Sequence, residues 1–242
     1  MRAVLSLAVV AAASLLVAGS AGAALGTPRS PLAVRGSHLY GQYCLGCHRA
    51  NAAGGPDAPS LQGVGALAAD FYLRTGYMPL RHLGEQPRRQ PLILGDRQIR
   101  ALVAYIASFG GPPVPQPKPW LGGVSKGQAL FAEHCAGCHQ VAAQGGYVTG
   151  ALPPPLDEAT PQQVAEAVRI GPYVMPRFSQ HAISDRQLDA IVRYVESAQH
   201  PEKPGGWGIG FVGPVPEGLV TWFIAMPLLI GLCLVIGTRF RT

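Results

Sequence analysis

One feature limits this chain more than any other: the frame Cys44-Leu45-Gly46-Cys47-His48 returns as Cys135-Ala136-Gly137-Cys138-His139. Four of the 5 cysteines lie in these frames, and Cys233 stands apart in an apolar run. C-x-x-C-H at the end of a helix lets two thiols bond the vinyl groups of a porphyrin while the imidazole reaches its iron. Zinc half-sites and redox dithiols also use C-x-x-C. Pooling Cys44, Cys47, Cys135 and Cys138 into one zinc site, however, leaves His48 and His139 without a role. The frames therefore predict two covalently attached haem c groups. A porphyrin also answers a shortage: with 31 Gly and only 7% aromatic residues, the chain has little of its own to fill a core. Neither half is expected to fold stably without it.

A second axial ligand is expected downstream of each frame. Of the 4 methionines, Met78 and Met175 each precede a proline in a loop, and a residue before proline is held extended. They are the predicted iron ligands opposite His48 and His139. His82 and His181 follow them in sequence and are the rival ligands. His38, His134 and His200 read as solvated. Methionine opposite histidine raises the reduction potential, which suits electron transfer rather than oxygen binding. Arg74 and Arg169, upstream of the Met loops, read as solvated or as partners for haem propionates.

The repeat extends beyond the frames. Gly95–Ser108 and Ser184–Ser197 share Asp, Arg, Gln, Ala, Val, Tyr and Ser at matching places, including Tyr105 and Tyr194. Both read as amphipathic helices, one with Ile99, Leu102, Val103 and Ile106 on its apolar stripe, the other with Leu188, Ile191, Val192 and Val195. Ser184 before Asp185 suits a helix start. Shorter helices, Ser37–Tyr43 and Ser125–His134, are expected to lead into the frames. The separations of the frames and of the helices nearly agree, so two copies of one domain are predicted. The fold class is mainly α: two tandem cytochrome c-like domains, at 35–110 and 123–200, followed by one C-terminal transmembrane helix, at 219–238. A proline-rich linker, 111–122, reads as an extended semi-rigid spacer. A second Pro/Gly linker covers 201–218.

The ends point to a membrane. Residues 1–24 have the charged start, apolar stretch and Ala21-Gly22-Ala23 site of a signal peptide; retained, they would be an N-terminal anchor. Leu219–Gly237 is almost wholly apolar, with Trp222 near its start and Arg239 and Arg241 after it. That pattern places the haem domains on the extracytoplasmic side of the plasma membrane, in a single-pass protein, or a two-pass one if the N-terminal segment stays. Charged residues make up only 13% and the net charge is +6, with no Lys/Arg run. Nucleic-acid binding is thereby excluded as a reading, while membrane lipid is a predicted neighbour.

Taken together, the tandem frames, the export segment, the terminal helix, and the stretches Lys203–Gly206 and Gly213–Gly218 resemble one family. So do Pro59–Gly65 and Thr75–Pro79. The family is the dihaem cytochrome c (cytochrome cc) subunit of the actinobacterial menaquinol–cytochrome c reductase, or cytochrome bcc, complex. The resemblance implies a subunit of a quinol–cytochrome c reductase, a translocase, that performs no substrate chemistry alone and has no catalytic residue of its own. It implies partners: a cytochrome b subunit, a Rieske iron–sulfur subunit and an aa3-type cytochrome c oxidase. The first haem would accept an electron from the Rieske centre and the second would deliver it to the oxidase. The alternatives are a dihaem subunit of a periplasmic dehydrogenase or another oxidase, and a dihaem peroxidase. The last needs an open iron site with acid–base groups over it, and both halves here offer a methionine instead.

Overall fold

The computed structural model describes residues 30–82, 88–201 and 218–239. The expectations for 1–24, for nearly all of 201–218 and for Arg241 lie outside them. The described residues are helical and contain no strand, only an isolated bridge between Val148 and Ala151. Of the described residues, those up to Gln199 form one compact unit and those from His200 onward a second.

The first half contains α1 (Pro31–Tyr43), the short α2 (Leu45–His48), α3 (Gly65–Arg74) and α4 (Asp96–Ala107). The second repeats the order as α5 (Val124–His134), α6 (Ala136–His139), α7 (Pro161–Ile170) and α8 (Asp185–Gln199). α1 begins well before the expected Ser37. Ser30 accepts a hydrogen bond from the Ala33 N–H at 3.2 Å and Pro31 occupies the first turn, so the chain is capped there. α3 and α7 are additions to the sequence expectation. α7 has a readable start, because Thr160 and Gln163 cap each other's backbone N–H groups and Pro161 stands between them.

In each half the first helix packs across the last. Gly36 and Gly127 make the crossings possible. A Cβ on Gly36 would strike the Ala101 carbonyl and Tyr105; one on Gly127 would strike the Ala190 carbonyl and Tyr194. Beside the crossings, Tyr40 meets Tyr105 with ring centroids 5.2 Å apart, and Phe131 meets Tyr194, also at 5.2 Å. The expected stripes point inward: Ile99, Leu102 and Ile106 are buried in one core, and Leu188, Ile191, Val192 and Val195 in the other. Val103 is partly buried. Each fully buried Leu or Ile adds about 1.5–3 kcal/mol of transfer free energy. α8 starts where predicted, with Gln187 accepting from the Ser184 N–H at 2.8 Å.

The linker is fastened rather than free. The Leu67 N–H donates to the Pro112 carbonyl at 3.2 Å. On the other side, Gln162 donates to the Pro115 carbonyl at 2.6 Å and the Lys118 N–H donates to Asp189 at 2.7 Å. A proline-rich strand has few N–H donors of its own, so its carbonyls are left for neighbouring donors to use.

In the second unit, α9 (Gly218–Arg239) is 22 residues long, with a mean hydropathy of 2.6 over its most apolar window. It is long and apolar enough to cross a membrane. Its early turn, Thr221–Ala225, is π-helical. Pro227 follows, and proline lacks the N–H that would bond the Phe223 carbonyl.

Candidate haem-binding sites

Each frame follows the same local path. The first helix ends at the first cysteine, whose N–H donates to the Tyr40 carbonyl at 2.9 Å or the Phe131 carbonyl at 2.8 Å. The backbone kinks there, at φ −123° and ψ −31° for Cys44 and φ −124° and ψ −35° for Cys135. A single turn then carries the second cysteine and the histidine. Arg49 and Gln140 leave it in the left-handed region, both at φ +58°.

The histidines are fixed alike. His48 Nδ1 lies 2.8 Å from the Pro59 carbonyl, and His139 Nδ1 lies 3.1 Å from the Pro154 carbonyl. A carbonyl only accepts, so Nδ1 carries the proton and the Nε2 lone pair is left for a metal. Both rings are buried. Burial lowers the His139 pKa below the ordinary histidine range, and the Pro154 bond opposes the shift. This favours the neutral, ligating form.

Cys44 and Cys47, and Cys135 and Cys138, form no disulfide. Burial, and then the neighbouring thiol, raises Cys44 and Cys135 to about 11. Among the described residues no group of three or more His, Cys, Asp and Glu side chains could hold a metal ion, so the four thiols are not gathered into one zinc centre.

Met78 is half-buried, and its N–H donates to the Tyr72 carbonyl at 3.0 Å. It lines a cavity of about 190 Å³ together with Tyr43, Leu73, Leu80, Ile93 and Leu94. Gln42, Arg81 and Gln90 also line it, and Tyr43 directly precedes the first frame. Met175 packs against the second core, as do Cys135 and Ala136. The residues present fit a haem c: in each half a neutral imidazole and a thioether would serve the iron, and two thiols the vinyl groups of the porphyrin. His82 and His181 are exposed, as are His38, His134 and His200.

The arginines are ion-paired rather than freely solvated. Arg74 bonds both oxygens of Asp70 at 2.9 Å and Asp96 at 2.8 Å. Arg169 donates to the Phe178 and Ile183 carbonyls and to Asp185 at 2.7 Å. Both are engaged in ion pairs, with 30% of the Arg74 side chain and 11% of the Arg169 side chain exposed. Each ties the end of one helix to the first residue of the next, across the loop that carries the methionine. The tyrosines also gain a role: Tyr40 donates to the Arg49 carbonyl at 2.8 Å, and Tyr194 to the Val141 carbonyl at 2.6 Å. Both bonds hold the chain just past a frame.

Sequence reasoning missed the proline carbonyls behind the histidines. It also missed Glu166, which is fully buried on α7 with Gln162 donating to one oxygen at 3.3 Å and no hydrogen-bond partner at Oε2. Burial, followed by the charge of Asp70 on α3, raises its pKa to about 8.

Two family models match, each over one half. Residues 33–110 match the cytochrome c model, and 122–195 match cytochrome c oxidase, cbb3-type, subunit III. The fold and the two frames thus define a c-type cytochrome with tandem domains, a class that carries haem c covalently. A protein of Mycobacterium bovis named cytochrome bc1 complex cytochrome c subunit is 38% identical over 93% of this chain and 88% of its own length. A protein of the same name from Corynebacterium diphtheriae is 34% identical over 84% of the chain and 80% of its own length. A cbb3-type cytochrome c oxidase subunit CcoP of Rhodobacter capsulatus is 29% identical over 67% of the chain and 61% of its own. The chain belongs to the family of cytochrome c subunits of the cytochrome bc1 complex.

Proposed function

We propose that this electron-transfer cytochrome relays single electrons from the Rieske centre of a menaquinol-oxidising complex to an aa3-type oxidase. Each half holds one haem c. Cys44 and Cys47, and Cys135 and Cys138, would form the thioether links, and His48 with Met78, and His139 with Met175, would hold the irons. The domains span 35–110 and 123–200, joined by 111–122. The 219–238 helix anchors them on the outer face of the plasma membrane beside a cytochrome b subunit, the Rieske subunit and the oxidase. As part of that complex the chain serves a translocase.

The observation that carries this reading is the doubled imidazole lock on Pro59 and Pro154. Bound haem supplies a one-electron couple, and the residues set the conditions for it. The proline carbonyls keep each ring neutral and oriented. The methionines favour the reduced state, which moves the couple to a potential where a Rieske centre can donate. The membrane helix keeps the pair near its partners and raises their effective concentration.

A dihaem oxidase subunit is the second reading, favoured by the cbb3-type match over 122–195. A reduced-minus-oxidised spectrum of the tagged protein, purified from its own membranes in mild detergent, separates the two. Haem b and haem a bands beside haem c support the relay between reductase and aa3 oxidase. A spectrum without haem a counts against that oxidase.

A further inference from the structure

The loops that carry Met78 and Met175 touch. Tyr77, next to Met78, and Tyr173, just upstream of Met175, meet with ring centroids 5.3 Å apart and planes tilted by 50°. That separation lies within the range of attractive aromatic pairs. The contact does not stand alone on the first-half side. Tyr77 stacks on Phe71 at 6.3 Å and 19°, and meets Tyr72 edge-on at 6.3 Å. Phe71 is buried in the body of α3. Tyr173 reaches the contact from a backbone at φ +57°, a conformation uncommon for any residue with a side chain and rare for a bulky one. Such strain persists where surrounding structure enforces it and collects at functional sites.

We propose that the Tyr77–Tyr173 contact is the electronic bridge between the two halves, holding the two methionine loops together and supplying the ring-to-ring crossing for the electron. The inference rests on the assignment of Met78 and Met175 as iron ligands made above. The transfer balances simply. The donor half loses one electron, the acceptor half gains it, and neither phenol gains or loses a proton. Both tyrosines act as positioning and coupling residues, not as redox centres. The physical reason is distance: electronic coupling decays steeply across solvent gaps and more gently through packed atoms, and these rings close the gap between the loops.

The halves have other fastenings, at Leu67–Pro112, Gln162–Pro115 and Lys118–Asp189. Deleting the rings is therefore expected to leave the halves assembled. The test uses the full haem-loaded chain in detergent, with a ruthenium photoreductant on a cysteine replacing the exposed Arg35 of the first half. After a flash, electron equilibration between the halves is followed where their spectra differ. The pair Tyr77→Ala and Tyr173→Ala is expected to slow equilibration about tenfold or more, because deleting both rings reopens the gap between the loops. Haem content and both midpoint potentials stay at the parent values. The pair Tyr77→Phe and Tyr173→Phe, which keeps the rings, retains the parent rate. A parent rate in the alanine pair, or a phenylalanine pair as slow as the alanine pair, overturns the bridge while leaving the haem assignment intact. A parent chain with one haem, or a Met78→Ala variant with unchanged iron ligation, overturns the assignment and the bridge with it.

Discussion

At the residue scale, the same helix holds two glycines with opposite meanings. Gly36 of α1 faces the Ala101 carbonyl, whereas a Cβ on Gly41 would meet no atom within 4 Å. Gly36→Ala is expected to destabilise the first half by about 1–3 kcal/mol through overpacking. Gly41→Ala is expected to stabilise the protein by about 0.5–1 kcal/mol, because alanine loses less backbone freedom in a helix. Urea titrations of the two variants check the contrast, and a shift of the same sign in both would contradict the crossing. The candidate ligands were legible as residues because frame chemistry is local: thiols, imidazole and their spacing sit in five consecutive positions. The carbonyls of Pro59 and Pro154 were not legible. They reach His48 and His139 across Gly/Pro loops with no periodicity, and any peptide group could have filled the role. The engagement of the two arginines was hidden for a related reason, since Asp96 and Asp185 stand across the methionine loops.

At the element scale, the last helix of each half could be read in advance, because a stripe such as Leu188, Ile191, Val192 and Val195 demands burial and finds it. α3 and α7 were not among the helices expected from the sequence. α3 has no side-chain cap at Val64, so its start carries no polar signal. α7 does carry one, and Thr160→Ala is expected to cost about 1 kcal/mol by leaving the Gln163 N–H without its acceptor. Thermal unfolding of the haem-loaded chain measures it. Thr160→Ser, which keeps the hydroxyl, should stay near the parent value. The linker shows why composition alone misjudges a spacer. Proline content predicts stiffness, but the donors that pin its carbonyls belong to Leu67 and Gln162, far away in sequence.

At the scale of the whole molecule, Glu166 places a titratable group between α7 of one half and α3 of the other. Asp70 faces it, with Arg74 drawn toward Asp70 and Asp96. On α8, Asp185 is engaged by Arg169, and Asp189 accepts from the Lys118 N–H. Two adjacent buried carboxyls favour holding one proton between them. With its pKa raised from the ordinary 4.5 to about 8, Glu166 keeps its proton over a range where the unfolded chain has lost it. The folded state then binds more protons than the unfolded one, so stability falls as pH rises through that window. Urea midpoints measured between about pH 5 and pH 9 should decline in the parent and decline less in Glu166→Gln. Equal slopes would refute the assignment. Nothing in the local sequence Ala165-Glu166-Ala167 announces this, because an isolated glutamate on a helix reads as solvated until its neighbour half is in place.

The bonds that tie the linker to Leu67, Gln162 and Asp189 bear on traffic as well as on architecture. A carrier that must swim between docking points is slowed by a thick medium and delayed by crowding. A chain whose two stations are clamped to the same track behaves as a fixed wire. On the proposed relay, its internal step would owe nothing to diffusion, and delay would arise only where the ends meet their neighbours.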